Sequence, residues 1–245
     1  MRERYHLGDG IVLRRRLLPS GDAIITLLSE RGKWTALARS GRSSAGLVAS
    51  LSLFNDVTVQ HYRRKEGDLP VITQVTLNGM LPRLSEPGLY GFAHILAELA
   101  DQLTVDVSYG EPLYAYLASG LRGLCSSDDP ELVTIAYAWR MVKAAGLAPA
   151  ARGCPDCGSE GPLTHLDIPA GLLRCGDCGG GARLEPATAA ELKSMLTGTL
   201  TQAITRGLAD REAHWRVLDR FVAHHVNSLS SLSLRTRPER EAANA

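Results

Sequence analysis

Two C-x-x-C pairs, Cys154-Pro155-Asp156-Cys157 and Cys175-Gly176-Asp177-Cys178, constrain this chain more than any other feature. Seventeen residues separate them, and a glycine follows each, Gly158 and Gly179. A C-x-x-C turn aims two thiolates at one point, and two such turns supply the four soft ligands of a tetrahedral zinc ion. The segment that carries them is therefore expected to fold around metal held by Cys154, Cys157, Cys175 and Cys178. Four thiolates leave no position open for water, which favours one structural zinc per chain over a catalytic one. A zinc deaminase needs His-x-Glu and an open water site, whereas His165 leads into Leu166-Asp167. Cysteines spaced for metal belong to a reducing compartment, not to a disulfide framework, and this predicts a cytoplasmic protein. The fifth cysteine, Cys125, stands near Leu121 and Leu124 and reads as a plain buried thiol.

The whole chain is long enough for two domains or one large one: 245 residues, 44% of them hydrophobic. The charged start, Met1 to His6, has no apolar signal-peptide core behind it, and no run approaches the roughly 18 apolar residues of a membrane span. A net charge of +1 conceals an asymmetry. Residues 1–80 carry 12 Lys/Arg against 7 Asp/Glu, while residues 81–245 carry 15 against 19. A basic front suits an anionic partner.

The same front reads as five short strands. Ile11-Val12-Leu13 opens the first, and Pro19-Ser20-Gly21-Asp22 is a turn. Ala23–Leu28, Lys33–Arg39, Phe54–Tyr62 and Pro70–Leu77 follow, with a flexible basic loop at 40–46 and a charged turn at 63–68. Five short strands in under 80 residues suit a small barrel that hides its edges, with an OB-fold as the leading candidate. Beyond Pro82 the apolar period becomes helical. Leu89, Phe92, Ala93, Leu96 and Leu99 share one face, and a second helix runs through Tyr114, Leu117 and Leu121. A third starts at Asp129-Pro130 and ends at Gly146. Thr188 and Glu191 read as a capping box, and a last helix carries Trp215, Leu218, Phe221 and Val222. The predicted class is α+β: an OB-fold barrel over 1–81, then a helical domain over 82–245, with a zinc-binding insert at 152–182 and a disordered tail at 235–245.

Arg14, Arg15, Arg16, Lys33, Arg39, Arg42, Arg63, Arg64 and Lys65 fall on strand ends and loops of the barrel. Clustered cations are what phosphate binding needs, so these are the candidate DNA-binding residues. Trp34, Phe54 and Tyr62 could stack on bases, although strand spacing places them more readily in the barrel core. No P-loop, G-x-S-x-G or H-E-x-x-H motif is present, so the chain is not read as an enzyme. The pair His224-His225 reads as a helix surface.

The barrel segment Asp9-Gly10-Ile11-Val12-Leu13, the run Ile24 to Lys33, and Lys143-Ala144-Ala145-Gly146-Leu147-Ala148-Pro149 leading into the first C-x-x-C-G together resemble the RecO family of bacterial recombination mediators and DNA-repair proteins. The resemblance covers residues 1 to about 230. It implies an OB-fold, a helical domain and a zinc insert in a nucleoid-associated protein that binds single- and double-stranded DNA and anneals complementary strands. It further implies action with RecR, and often RecF, to help RecA replace single-strand-binding protein. Matched onto this chain, Lys33, Arg39 and the Arg42-Ser43-Ser44 loop would face DNA. The acidic, apolar-ended tail of single-strand-binding protein needs an apolar pocket rimmed by cations. Arg122, Arg140 and Lys143, near Leu121, Trp139 and Val142, are the candidates for it. The alternative reading is a zinc-ribbon adaptor that binds protein and not DNA.

Overall fold

The computed structural model describes residues 5–39, 45–104 and 110–235. Its first strand, β1 (His6–Leu17), is long enough to serve two partners. Its first half pairs with β4 (Asp56–Tyr62), from His6 opposite His61 to Ile11 opposite Asp56. Its second half pairs with β2 (Ala23–Ser29), as far as Leu17 opposite Ala23. A register shift between Val12 and Arg14 bends the strand between these tasks. β2 turns into β3 (Gly32–Ala38), β5 (Val71–Gly79) pairs with β4, and a parallel contact of Leu37 and Ala38 with Val71 and Ile72 closes the barrel. The strand order is β1-β2-β3-β5-β4, with every edge paired. Alternate residues (Val12, Ile25, Leu27, Ala36, Val57, Val59) fill the interior. This is the expected OB-fold.

Two local expectations change. Residues 40–46 were expected to form one loop, but helix α1 (Ala45–Ser50) begins inside that range and leads to a fully buried Leu51. Phe54, expected to open the fourth strand, is a turn residue at φ 68. Its ring leaves the barrel and packs against Tyr90 and His94.

The helical part is built on α2 (Pro87–Leu103), α3 (Gly110–Ser126) and α4 (Pro130–Ala144). Asp129 caps α4 by accepting from the Leu132 amide at 3.1 Å, with Pro130 in the first turn. Gly146, at φ 75, follows the end of α4. Strands β6 (His165–Asp167), β7 (Leu172–Arg174) and β8 (Ala182–Arg183) form a small sheet in the order β7-β6-β8. α5 (Pro186–Thr197), α6 (Leu200–Arg206) and α7 (Arg211–His225) complete the α-helices among the described residues. The Thr188/Glu191 capping box does not form. α5 starts two residues earlier, at Pro186, so Thr188 is buried inside the helix and Glu191 reaches His214 Nε2 at 2.8 Å. The box belongs to α6, a helix the periodicity missed, and is made by Thr199 and Gln202.

Besides the barrel interior, a second and larger core joins barrel to helices. Ile11, Leu13, Leu28 and Phe54 point out of the barrel and join the cluster of Leu96, Leu117, Trp139, Trp215 and Phe221. Leu163, Leu166 and Leu173 of the cysteine insert, with Leu184 just after it, enter the same cluster, so the insert packs on the helices. A strap at 229–235 returns to α2, where Glu98 accepts from the amide and hydroxyl of both Ser230 and Ser231. Of the tail expected to be disordered, only Arg235 is among the described residues; it pairs with Glu212 at 2.7 Å and lies over Trp215.

Candidate metal centre and nucleic-acid interface

The two cysteine turns meet. The sulfurs of Cys154, Cys157, Cys175 and Cys178 all lie within 4.8 Å of one another, and those of Cys157 and Cys175 are 3.7 Å apart. Zinc–sulfur bonds of about 2.3 Å set a tetrahedral edge of about 3.8 Å, so the spacing fits a metal and is far too long for a disulfide. Each turn closes in the same way, with the Gly158 amide donating to Cys154 O and the Gly179 amide to Cys175 O. Both glycines are left-handed, at φ 73 and 60, which is why glycine ends each motif. Backbone N–H groups of Cys175, then of Asp156 and Cys157, pull the Cys154 thiol down to about 6. The Cys178 thiol is pushed up, first by Cys157 and then by Cys175 and Cys154. Four sulfurs this close cannot all ionise unless a cation sits among them. Arg174 ties the first turn to the sheet through Asp156 (2.7 Å) and Asp167 (2.6 Å). On the other side of the insert, His225 Nε2 bonds Ile168 O at 2.7 Å, so this histidine is half-buried, while His224 is exposed. Cys125 is half-buried, and burial pushes its thiol up, which leaves it a poor nucleophile.

The barrel sorts its cations by register. One rung runs from Lys33 through Leu28 and Ile11 to Asp56 and faces the helices. There Lys33 Nζ pairs with the Asp101 carboxylate at 2.9 Å and also donates to Asp101 O at 2.6 Å. Arg14 closes on the same carboxylate, whose side chain is only 9% exposed. Lys33 and Arg14 therefore clamp the barrel to α2, a role the sequence did not suggest for either. Tyr114 OH donates to Asp56 at 3.1 Å beside them, and burial, then that carboxylate, pushes the phenol up to about 12. Gly110, the first residue of α3, comes so near the β2–β3 turn that a Cβ on it would lie 2.2 Å from the Gly32 nitrogen.

A second rung runs Arg16–Ile24–Leu37–Val71–Tyr62 at the far rim. Arg39 leaves β3 here and Arg63-Arg64-Lys65 leave β4, all of them exposed. The Leu37 amide bonds Pro70 O at 2.8 Å and fastens the two departures together. Arg16, Arg39, Arg63, Arg64 and Lys65 make no ion pair with another described residue, and Asp22, Glu66 and Asp68 share their loops. Arg42 lies outside the described residues. Arg15, half-buried on β1, edges a 650 Å³ groove where Leu17, Met80 and Tyr90 are exposed. Trp34 half fills the barrel mouth and donates from Nε1 to Asp9 O.

The N-terminal family model, Recombination protein O N terminal, matches residues 1–80, and Recombination protein O C terminal matches residues 84–234. The chain belongs to the RecO family of DNA repair proteins. It is 31% identical over 239 residues to the DNA repair protein RecO of Streptomyces griseus, covering 91% of this chain and 89% of that one. Its identity to the protein of the same name in Thermobifida fusca is 30% over 235 residues, covering 92% and 96%. With that of Anaeromyxobacter dehalogenans strain 2CP-C it is 31% over 230 residues, covering 89% and 90%. No helix among the described residues is long and apolar enough to cross a membrane.

The three cations expected to hold a partner do not form one pocket. Arg140 is buried and donates to Gly198 O at 2.6 Å, and Lys143 donates to Leu196 O at 2.7 Å. Together they satisfy carbonyls at the C-terminal end of α5, where cations are favoured by the helix dipole. Lys143 also lines a 430 Å³ cleft with Pro149, Arg152 and Leu196, whereas Arg122 is exposed on α3 and is not part of it.

Proposed function

We propose that this protein binds single- and double-stranded DNA on the far rim of its barrel, anneals complementary strands and, with RecR, promotes RecA loading on DNA coated by single-strand-binding protein. The observation that carries the reading is the rim itself: five cations brought to one end of a closed barrel, unpaired by any described carboxylate. Contacts of this kind neutralise phosphate and are indifferent to sequence. No catalytic role is assigned to any residue. The four cysteines hold one structural zinc whose work is to fold the insert onto the helices. Lys143 and Arg152 beside Pro149 and Leu196 suit the acidic, apolar-ended tail of single-strand-binding protein. The groove of Leu17, Met80 and Tyr90 favours an added protein contact such as RecR.

Two measurements test this. In an anisotropy titration, binding should be sequence-independent and fall steeply with salt, with a log–log slope of about −0.7 per phosphate neutralised on a single strand. The protein alone should also anneal labelled complementary strands without ATP. Salt-independent binding, or none, would leave the adaptor reading. Metal analysis of protein purified without chelator should give about one zinc per chain, and Cys175→Ser should lose the metal and lower the melting temperature. Full metal content in that variant would move the site elsewhere.

A further inference from the structure

At the same rim the start of β1 and the end of β4 lie side by side, with His6 opposite His61. This register sets Tyr5 beside Tyr62, and their ring centroids are 5.9 Å apart at 70°. His6 and His61 are also 5.9 Å apart, and His61 lies 5.2 Å from Trp34. Strand alternation gives the two pairs different sides. His6 and His61 share the parity of Val59 and Val12 and cover the barrel mouth, where Trp34 lies on Gly8. Tyr5 and Tyr62 stand on the outer face with Leu7.

The inner members of this cluster are core. Trp34 is half-buried and hydrogen-bonded, and a Cβ on Gly8 would lie 2.7 Å from its ring. The remaining members are open to solvent: Tyr5 is 50% exposed and Leu7 73%, His6 is exposed at the edge of the mouth, and Tyr62 is half-buried. Scattered apolar residues at a surface are ordinary. These share a rim with Arg39, Arg63, Arg64 and Lys65, and Arg63 directly follows Tyr62. Burial first, then the neighbouring His6 and Arg63, hold the His61 imidazole below its ordinary pKa. Cations beside solvent-accessible rings are the makings of a single-strand site, because phosphates need the charge and unpaired bases need a flat apolar face.

We propose that Tyr5, His6 and Tyr62 form a base-stacking step that takes unpaired bases of single-stranded DNA, while Arg63, Arg64, Lys65 and Arg39 hold its phosphates. This rests on the DNA-binding reading above and adds to it the preference for an unpaired strand. Duplex bases are already stacked on each other and offer no face to a ring. The step therefore acts on single strands alone, and the cations act on both.

The full-length protein is titrated by anisotropy with a labelled oligothymidine and with a labelled duplex of equal length, each at several salt concentrations. Replacing Tyr5 and Tyr62 together with alanine should weaken single-strand binding about tenfold or more, the size expected for losing base stacking. Duplex affinity and both salt slopes should stay as they were. Tyr5→Phe with Tyr62→Phe should keep single-strand affinity, since the rings remain. Tyr5→Ala alone, at an exposed position before the first strand, should move in the same direction without disturbing the fold. Unchanged single-strand binding in the alanine variants overturns the proposal, as does equal loss on both DNAs. If the unaltered protein binds neither DNA, the DNA-binding reading falls as well, an outcome distinct from intact duplex binding with indifferent tyrosines.

Discussion

At the helix-facing end of the barrel, Lys33 and Arg14 close onto one nearly buried carboxylate, Asp101. At the far rim, roughly 20 Å along β3 at about 3.3 Å per residue, Arg39 and the Arg63-Arg64-Lys65 turn meet no described carboxylate. The same residue types therefore serve as fasteners at one end and as a free surface at the other. What separates them is position along the chain: Lys33 lies near the start of β3 and meets Asp101 of α2, whereas Arg39, six residues on, directly follows the end of the strand. A count of basic residues treats the two ends alike, and the barrel does not.

The largest test of the contrast is steric. If the helix-facing end is a tight joint, a side chain at Gly110 must push α3 off the β2–β3 turn, because its Cβ would meet Gly32 nitrogen at 2.2 Å. Gly110→Val should cost about 3 kcal/mol, the upper part of the usual range for overpacking, read as a lowered urea midpoint. A loss below about 0.5 kcal/mol, the scatter of ordinary surface changes, would mean that the joint is loose.

Asp101→Ala should have a smaller effect, because it leaves the backbone joint whole. The carboxylate is nearly buried, but the side chains of Arg14 and Lys33 are 68% and 32% exposed and can be solvated when it goes. About 1–2 kcal/mol is expected, below the 3–5 kcal/mol of a fully buried pair. A loss of similar size in Lys33→Ala, with much less than additive loss in the double variant, would show that the two act on each other.

Legibility in the sequence followed the range of the interaction. The cysteine turns, the alternation of Val57 and Val59, and the Asp129-Pro130 helix start are local patterns, and each forms where it was expected. The fates of the cations are not local. Lys33 meets Asp101 across 68 residues and Arg140 meets Gly198 across 58, and neither partner has a signature in its own segment. Thr188 and Glu191 carry the capping-box spacing, yet Pro186 starts the helix earlier and sets their roles aside. Phe54 looked like strand because it precedes an alternating run, but its neighbours on α2, Tyr90 and His94, draw it out of the barrel. Tyr5 and His6 precede the apolar run and carry no local signal of their own; the β1–β4 register shows what stands beside them.

The smallest expected effect on stability is at the far rim, and it is the most discriminating. Arg39→Ala, Arg63→Ala and Arg64→Ala combined remove three exposed cations without a described ion-pair partner. Their removal should shift stability by no more than about 0.5 kcal/mol per site, as surface changes usually do. Each lost phosphate contact should flatten the single-strand salt slope by about 0.7, giving about two units for the triple variant. Lys33→Ala should behave in the opposite way: the protein is destabilised and the slope is kept, since that ammonium is engaged with Asp101 and its carbonyl. Urea unfolding and salt-dependent anisotropy on the two variants form a crossed experiment in which each end of the barrel should move one reading and not the other. If Lys33→Ala flattens the slope as much as the rim variant does, the ammonium leaves Asp101 to reach DNA, and the two ends form one binding surface.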